Sequence, residues 1–102
     1  MHSNIIEYLN STAPKVCELD ESPFLCEFWA PDELDTFNRE YEVPQYAPGY
    51  FGFATSGGGE MYAIDPVGKI VCLPFIGMEP SAALVIANDW PTFLTKLRPI
   101  QV

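Results

Sequence analysis

The side chains that could act as nucleophiles, acids or bases are few in this sequence and stand far apart. Nucleophilic catalysis needs a base beside the nucleophile, and the only histidine, His2, lies in a segment that we expect to be loosely ordered. Ser56 stands in a glycine-rich turn, where a serine is usually structural. Glu60 and Asp65 would suit a carboxylate-pair hydrolase, but their spacing along one strand places them on opposite faces. We therefore predict a protein that is not an enzyme and has no catalytic residue.

Metal and phosphate sites also lack the residues that they need. Cys17, Cys26 and Cys72 contain no CxxC pair and, even with His2, offer too few ligands at a workable spacing for zinc. Cys26 and Cys72 lie in apolar runs, where a thiol behaves as a small buried hydrophobe. The run Gly57-Gly58-Gly59 precedes neither a lysine nor a helix, so a hairpin turn is favoured over a phosphate-binding loop. The sequence thus predicts no metal and no cofactor.

The charge balance excludes two classes of partner. The 102 residues include 14 acidic and 5 basic side chains, which gives a formal net charge of −9. A surface this acidic repels the phosphates of nucleic acids and of anionic lipids, so we expect neither nucleic acid nor a membrane as partner. The sequence contains no apolar run of about 18 residues and begins without a secretory-signal pattern. The predicted location is therefore the cytoplasm.

Nine acidic residues lie between Glu18 and Glu42, a segment that we call the acidic tract, and Arg39 is the only cation within it. One interpretation is a solvated face that keeps the protein soluble. The other is a negative patch that steers a basic protein toward an edge bearing Tyr41, Tyr46 and Tyr50. Both interpretations fit the sequence. On the second, the candidate partner-binding residues are Asp32, Asp35, Glu40, Glu42, Tyr46 and Tyr50.

We expect residues 1–22 to form a loosely ordered N-terminal arm. Its apolar residues allow one or two helical turns, but Pro14 and the polar run that follows break any continuation. A single domain is predicted for residues 23–102. The segment Phe24–Trp29 is short, aromatic and apolar, as expected for a half-buried strand.

A helix is predicted to open at Pro31, because proline fits the first turn and the carboxylates that follow suit the positive end of the helix dipole. Leu34, Phe37 and Tyr41 form its inward stripe. The segment 43–50 contains two prolines, so we expect it to be an extended loop rich in aromatic residues.

Three strands of a meander are predicted next, at 50–55, 60–65 and 69–75. Gly58 and Gly59 belong to the first turn, where they tolerate positive φ angles and have a structural role. Pro74 lacks a backbone N–H, so the sheet should bulge or end there.

The final third of the chain supplies one more strand and one more helix. The run 82–87 has no clear period, and its β-branched centre favours a strand. Asn88-Asp89 offers an N-cap for a helix at 90–97. Trp29 and Trp90 are expected to be structural anchors in the core. The predicted fold class is α+β, with a central antiparallel meander and helices packed on one side.

A set of motifs runs in order from the first predicted strand to the last helix. Its members are Trp29-x-Pro31-x-Glu33-Leu34 with Asn38 and Tyr41, Pro48-Gly49-Tyr50-Phe51-x-Phe53, Gly57-Gly58-Gly59-Glu60-x-Tyr62-Ala63-x-Asp65, Val71-x-Leu73-Pro74-Phe75-Ile76-Gly77-Met78-x-Pro80, and Phe93-Leu94. This ordered set resembles the SUKH superfamily, which includes a yeast regulator of cell-wall synthesis and many small bacterial proteins. The longer members carry an N-terminal helical section whose landmarks are absent from residues 1–23.

The resemblance implies a SUKH-like α+β fold and a binding role instead of catalysis. Many bacterial members resemble immunity proteins, which neutralise a cognate toxin by direct binding; a regulatory or adaptor module without a toxin partner is the alternative. The strongest motif makes Gly58 and Gly59 structural and makes Glu60 either a turn-stabilising acceptor or a contact residue. With Tyr62, Glu60 joins the candidate partner-binding residues. From the charge of −9 we expect a basic toxin domain, such as a nuclease, as the protein partner.

Overall fold

Four helices and seven strands make up residues 2–100, the part of the chain that this computed structural model describes. The helices are α1 (Ser3–Leu9), α2 (Leu34–Glu40), α3 (Val43–Tyr46) and α4 (Trp90–Lys96). The strands are β1 (Val16–Glu18), β2 (Leu25–Phe28), β3 (Phe51–Thr55), β4 (Glu60–Ile64), β5 (Ile70–Pro74), β6 (Leu84–Ala87) and β7 (Arg98–Pro99). Short 3₁₀ turns at Pro31–Glu33 and Pro80–Ala82 lead into α2 and β6.

All seven strands belong to one antiparallel sheet, in the spatial order β6-β5-β4-β3-β2-β1-β7. Strands β1 to β6 follow one another both along the chain and across the sheet, so the predicted meander is confirmed. Tight turns join β3 to β4 and β4 to β5; in the β4–β5 turn, the Asp65 carboxylate accepts the backbone N–H groups of Val67 and Lys69. Strand β7 returns to pair with β1, where Pro99 lies opposite Cys17. The predicted α+β class is confirmed as well.

Helices cover both faces of this sheet. Met61, Tyr62 and Ala63 follow one another in β4 and are all fully buried. Since successive side chains of a strand point to opposite faces, both faces must be covered. The expectation that the helices pack on one side is therefore wrong. Helices α1 and α4 lie on the face of Tyr62, which we call the α4 face, and α2 and α3 lie on the face of Met61, the α2 face.

Aromatic rings fill the α4 face. The ring centroid of Phe53 in β3 lies 5.4 Å from that of Trp90 and 5.8 Å from that of Phe93, both in α4. Tyr8 of α1 packs 4.6 Å from Phe28 of β2 and edge-on to Trp90. Aromatic side chains bury the largest apolar areas, so this cluster holds α1 and α4 on the sheet.

The α2 face is built around the second tryptophan. Trp29 is 6% exposed and packs edge-on against Phe37 of α2, with 5.0 Å between ring centroids. Leu34 of α2 and Val43 of α3 are buried in the same hydrophobic core. Helices α2 and α3 are therefore both attached to the sheet by their apolar sides, and the charged side of α2 is left toward solvent.

The first 22 residues differ from the loosely ordered arm that the polar run around Pro14 suggested. Helix α1 places Ile5 and Leu9 in the core, and β1 adds Cys17 as a sheet residue that is 1% exposed. The spacing of Ile5 and Leu9 gives α1 one apolar side that can bury itself. Pro14 lies in the connection between α1 and β1, where it interrupts no hydrogen-bonded element. The arm is thus a part of the packed fold.

The segment after α2 is also different from the extended loop expected at 43–50. Glu42 adopts a left-handed backbone with φ +56°, which separates α2 from α3. Pro44 then stands in the first turn of α3, where a missing N–H costs nothing. The two prolines that argued against a continuing helix are compatible with a new and short one.

The remaining elements follow the sequence closely. Strand β5 ends at Pro74, and residues 84–87 of the ambiguous run 82–87 form β6, after a 3₁₀ turn that ends at Ala82. The carboxylate of Asp89 accepts the backbone N–H of Thr92 at 2.8 Å and caps α4. Hydrogen bonding from the side chain and the backbone N–H of Thr92 lowers the pKa of Asp89.

Helix α2 is joined to β3 by a buried side-chain amide. The Nδ2 group of Asn38 donates to the carbonyl oxygens of Gly52 and Leu34, and its Oδ1 accepts the N–H of Gly52, all at 2.8 Å. Asn38 is 6% exposed. The β3–β4 register shifts between Gly52 and Ala54, so the amide binds the backbone at an irregular point of the sheet.

Replacing Asn38 by alanine should lower the free energy of unfolding by about 3 kcal/mol, because two buried backbone groups of Gly52 lose their partner at about 1–3 kcal/mol each. Urea unfolding followed by circular dichroism measures this loss. The control is Asn4→Ala in α1, an exposed position that should change stability by less than about 0.5 kcal/mol. Equal stability of the two variants would show that the amide does not hold α2 in place.

Candidate functional site

The acidic tract divides into a paired part and an unpaired part. At the β1–β7 edge, Arg98 lies 2.7 Å from the carboxylate of Asp20 and 3.6 Å from that of Glu18. Lys96 of α4 lies 3.3 Å from the carboxylate of Glu21. Exposed pairs of this kind stabilise a fold by about 1 kcal/mol or less. Their main effect here is to offset the negative charge at the N-terminal end of the acidic tract.

The unpaired part lies on α2 and the turns beside it. Four of the predicted partner-binding residues, Asp32, Asp35, Glu40 and Glu42, are exposed there, and none of them forms an ion pair with another residue in the range 2–100. Arg39, the one cation of this stretch, forms none within that range either. The segment 31–42 contains five carboxylates and one guanidinium, so uncompensated negative charge is concentrated on this side.

Two of the three predicted tyrosines extend this charged side. Tyr41 is 40% exposed and Tyr46 is 47% exposed. The ring of Tyr41 packs against the ring of Phe75, with 4.4 Å between centroids. Tyr50 is half-buried and lines a separate cavity of about 290 Å³ near Asp35. The tyrosine-bearing edge therefore consists of Tyr41 and Tyr46, with Tyr50 set apart from it.

An open groove lies next to this edge, and we call it the Tyr46 groove. It has a volume of about 420 Å³ and is lined by Tyr46, Phe75, Gly77, Met78 and Glu79. Its volume lies within the range of about 300–1,000 Å³ that is typical of ligand pockets. We define the acidic–aromatic surface as this groove together with Asp32, Asp35, Glu40, Tyr41 and Glu42.

Sequence reasoning missed the contribution of the turn after β5 to this surface. Ile76 is 93% exposed, and Glu79 is also exposed. The sequence signal that could have indicated an exposed turn is the pair Ile76-Gly77, a large apolar residue followed by a glycine. Gly77 has a left-handed backbone with φ +79°. An exposed isoleucine side chain is typical of a contact surface when other exposed apolar groups lie next to it. The pairing of this turn with Tyr41 and Tyr46 could not be inferred from the chain order.

Two predicted partner-binding residues are placed elsewhere. Tyr62 is fully buried and donates its hydroxyl to the carbonyl oxygen of Leu25 at 2.8 Å, so its assignment to a contact surface is wrong. Burial raises its pKa. Glu60 accepts a hydrogen bond from the Ser56 hydroxyl at 2.8 Å, which is the turn-stabilising role left open for it. Its neighbour Met61 points to the α2 face, so Glu60 points to the opposite face, away from Tyr46.

The predicted structural residues of the hairpin shape the same turn. The N–H of Gly58 donates to the Ser56 hydroxyl, and the carbonyl of Gly59 accepts the N–H of Phe75. Gly59 has φ +101°, a conformation that favours glycine. Pro74 is the last residue of β5 and faces Glu60 across the ladder. These contacts join the β3–β4 turn to the start of the segment that lines the Tyr46 groove.

The carboxylates considered for catalysis do not converge. Glu60 serves the turn before β4 and Asp65 serves the turn after it. Within residues 2–100, no group of three or more His, Cys, Asp or Glu side chains is arranged to hold a metal ion. In the same part of the chain, no helix has the length and apolarity needed to cross a membrane.

The three cysteines are buried thiols. Cys17 and Cys26 face each other across β1 and β2, and Cys72 lies in β5. Burial raises the pKa of Cys17, raises that of Cys26 well above its usual value, and, with the nearby Glu60 carboxylate, raises that of Cys72 to about 12. Nucleophilic chemistry requires the thiolate, which this folded environment disfavours.

These thiols should make the fold sensitive to alkali. The unfolded chain ionises Cys72 near pH 9, while the folded chain retains the proton until about pH 12. The free energy of unfolding should therefore be unaffected by this group below pH 9 and fall as the pH rises from 9 toward 12. Urea unfolding at pH 8 and pH 10.5 measures the drop, which should be smaller in Cys72→Ala. An identical pH-dependent drop in the variant would contradict this role for Cys72.

In comparisons with known proteins, no family model and no curated protein sequence matches this chain. The resemblance to the SUKH superfamily therefore rests on the ordered motifs.

Proposed function

We propose that this chain is a non-catalytic binding protein that captures a basic protein partner on the acidic–aromatic surface. The observation that carries the proposal is that four exposed, unpaired carboxylates and the exposed rings of Tyr41 and Tyr46 all lie within residues 32–46. Both tyrosines are attached to a sheet that is packed on two faces. The backbone of α2 and α3 is therefore held in place before a partner arrives, which limits the entropy lost on binding.

The two kinds of residue have separate roles in this proposal. Concentrated negative charge attracts and orients a basic protein during diffusion, which raises the association rate. Tyrosines that become buried at the centre of an interface supply much of the binding energy, because their large rings are desolvated and packed. Charge thus sets how quickly the complex forms, and the rings of Tyr41 and Tyr46 set how slowly it dissociates.

The finer proposal is an immunity protein of the SUKH type, acting in the cytoplasm on a cognate toxin. The motif resemblance supports this reading, and the net charge of −9 supports a basic, nuclease-type toxin domain as the target. The alternative from the same superfamily is an adaptor module without a toxin partner. Nucleic acid and membranes are not the proposed partners, because the charge disfavours both.

Co-expression with the product of the neighbouring gene tests the immunity role. We expect protection of the host cell and a complex that can be purified. Absence of both protection and complex would remove the immunity reading. Recovery of a signalling or scaffold protein in its place would favour the adaptor.

The charge contribution is tested by removing two carboxylates from the surface. Glu40→Gln with Glu42→Gln should slow association by about tenfold, because steering depends on the local charge. The matched control is Glu7→Gln with Glu27→Gln, which removes the same net charge from exposed positions outside the surface. Stopped-flow or surface-plasmon measurements give both rates. Equal slowing in the two pairs would show that the overall charge, and not this surface, steers the partner.

Salt provides an independent test. Screening lengths fall from about 10 Å at 0.1 M to about 3 Å at 1 M ionic strength, so a steered association must slow as salt is added. We expect the association rate to fall steeply and the dissociation rate to change little across this range. A complex that forms at the same rate in high salt would point to an apolar contact surface without steering.

A further inference from the structure

The Tyr46 groove combines an exposed aromatic ring with a carboxylate at its rim. Tyr46 and Phe75 contribute aromatic rings, Met78 contributes an apolar floor that is 6% exposed, and Glu79 contributes the charge. The Glu79 carboxylate accepts the Ser81 hydroxyl at 2.6 Å, which orients it. No cation of residues 2–100 lies within ion-pair distance of it. The groove therefore offers an oriented and unpaired negative charge next to apolar walls.

The groove is also preformed. The ring of Phe75 is held by its packing against Tyr41. Gly77 has φ +79°, and at this position a Cβ would meet no atom within 4 Å, so the chain leaves open space where another residue would project a side chain. A substitution there would be strained, because L side chains rarely adopt this backbone conformation. Glycine at this position therefore adds no side chain to the lining of the groove.

We infer that the Tyr46 groove binds an arginine side chain of the protein partner. This inference rests on the proposed function and names the group that the surface recognises. The planar guanidinium of arginine can lie on an aromatic ring while its N–H groups pair with a carboxylate. The methylene stem of the same side chain can contact Met78 and Phe75, because long cationic side chains bury their stems along apolar surface.

Other occupants fit these features less well. A lysine has the same charge, but its compact and strongly hydrated ammonium has no plane to lay on a ring. An apolar side chain would cover the carboxylate of Glu79 without pairing it, which is unfavourable. An acidic group would be repelled by the carboxylate of Glu79. The complementarity of both shape and charge therefore selects arginine.

The direct test compares hexa-arginine with hexa-lysine, two peptides of equal charge, by NMR titration of the isotope-labelled protein. We expect hexa-arginine to bind about three- to tenfold more tightly, as the added stacking interaction implies. The largest shifts should appear at Tyr46, Gly77 and Glu79. Equal affinities, or shifts confined to other regions, would overturn the inference.

Variants of the groove sharpen the comparison. Tyr46→Ala should remove the preference for hexa-arginine and leave hexa-lysine binding nearly unchanged, whereas Tyr46→Phe should retain the preference because it keeps the ring. Glu79→Gln should weaken hexa-arginine about threefold or more. Glu7→Gln is the control of equal charge. Tyr46 is 47% exposed, so its replacement is compatible with folding. Retention of the arginine preference in Tyr46→Ala would contradict the inference.

The same titrations separate this inference from the proposal on which it rests. If both peptides bind equally, and both are weakened by Glu40→Gln with Glu42→Gln, the arginine assignment is wrong while the acidic–aromatic surface stands. If the peptides bind without dependence on either set of variants, both assignments are wrong. An arginine preference that is lost in Tyr46→Ala supports the inference whatever the identity of the natural partner.

Discussion

The side-chain amide of Asn38 pairs with backbone groups of β3 that no neighbouring strand reaches, and the position of α2 depends on this contact. Strand β2 ends at Phe28, so the N–H and C=O of Gly52 lie beyond its reach and need other partners. The Asn38 amide carries both a donor and an acceptor and satisfies the two groups. Gly52 is required for the same fit, because a Cβ there would lie 2.7 Å from the sulfur of Met61 and 3.3 Å from the ring of Trp29.

This attachment determines which side of α2 meets solvent. With Leu34 and Asn38 held against the sheet, the helix presents Asp35 outward along with the other carboxylates of the segment. The left-handed turn at Glu42 then redirects the chain into α3, which carries Tyr46 to the turn after β5. A helix that rotated by one residue would bury a carboxylate and expose an apolar stripe. The acidic–aromatic surface is thus a consequence of the inner contact of α2.

The ends of the strands could be predicted because they are chemically marked. The glycines at 57–59 permit positive φ angles, Pro74 lacks a backbone N–H and Asp89 can cap a helix, and the structure places a turn, a strand end and a helix start at these positions. The packing faces could not be predicted. A sheet covered on both sides produces continuous apolar runs such as 61–63, which contain no period that would separate inside from outside. The motif that makes Tyr62 a candidate contact residue gives no sign that Tyr62 is buried together with both of its neighbours.

Pairing between distant parts of the chain decides how much of the acidic tract is free. Arg98 meets Glu18 only because β7 returns to β1, and Lys96 meets Glu21 through the helix that precedes it. Two of the five cations are used at this edge, so the uncompensated charge is concentrated around α2 instead of being spread over the molecule. A concentrated charge beside Tyr46 gives a directional field that orients an approaching cation, whereas an even distribution only attracts it. The carboxylates of the candidate site were therefore readable from the segment 31–42, while the groove residues and the limits of the site depend on contacts that chain order does not reveal.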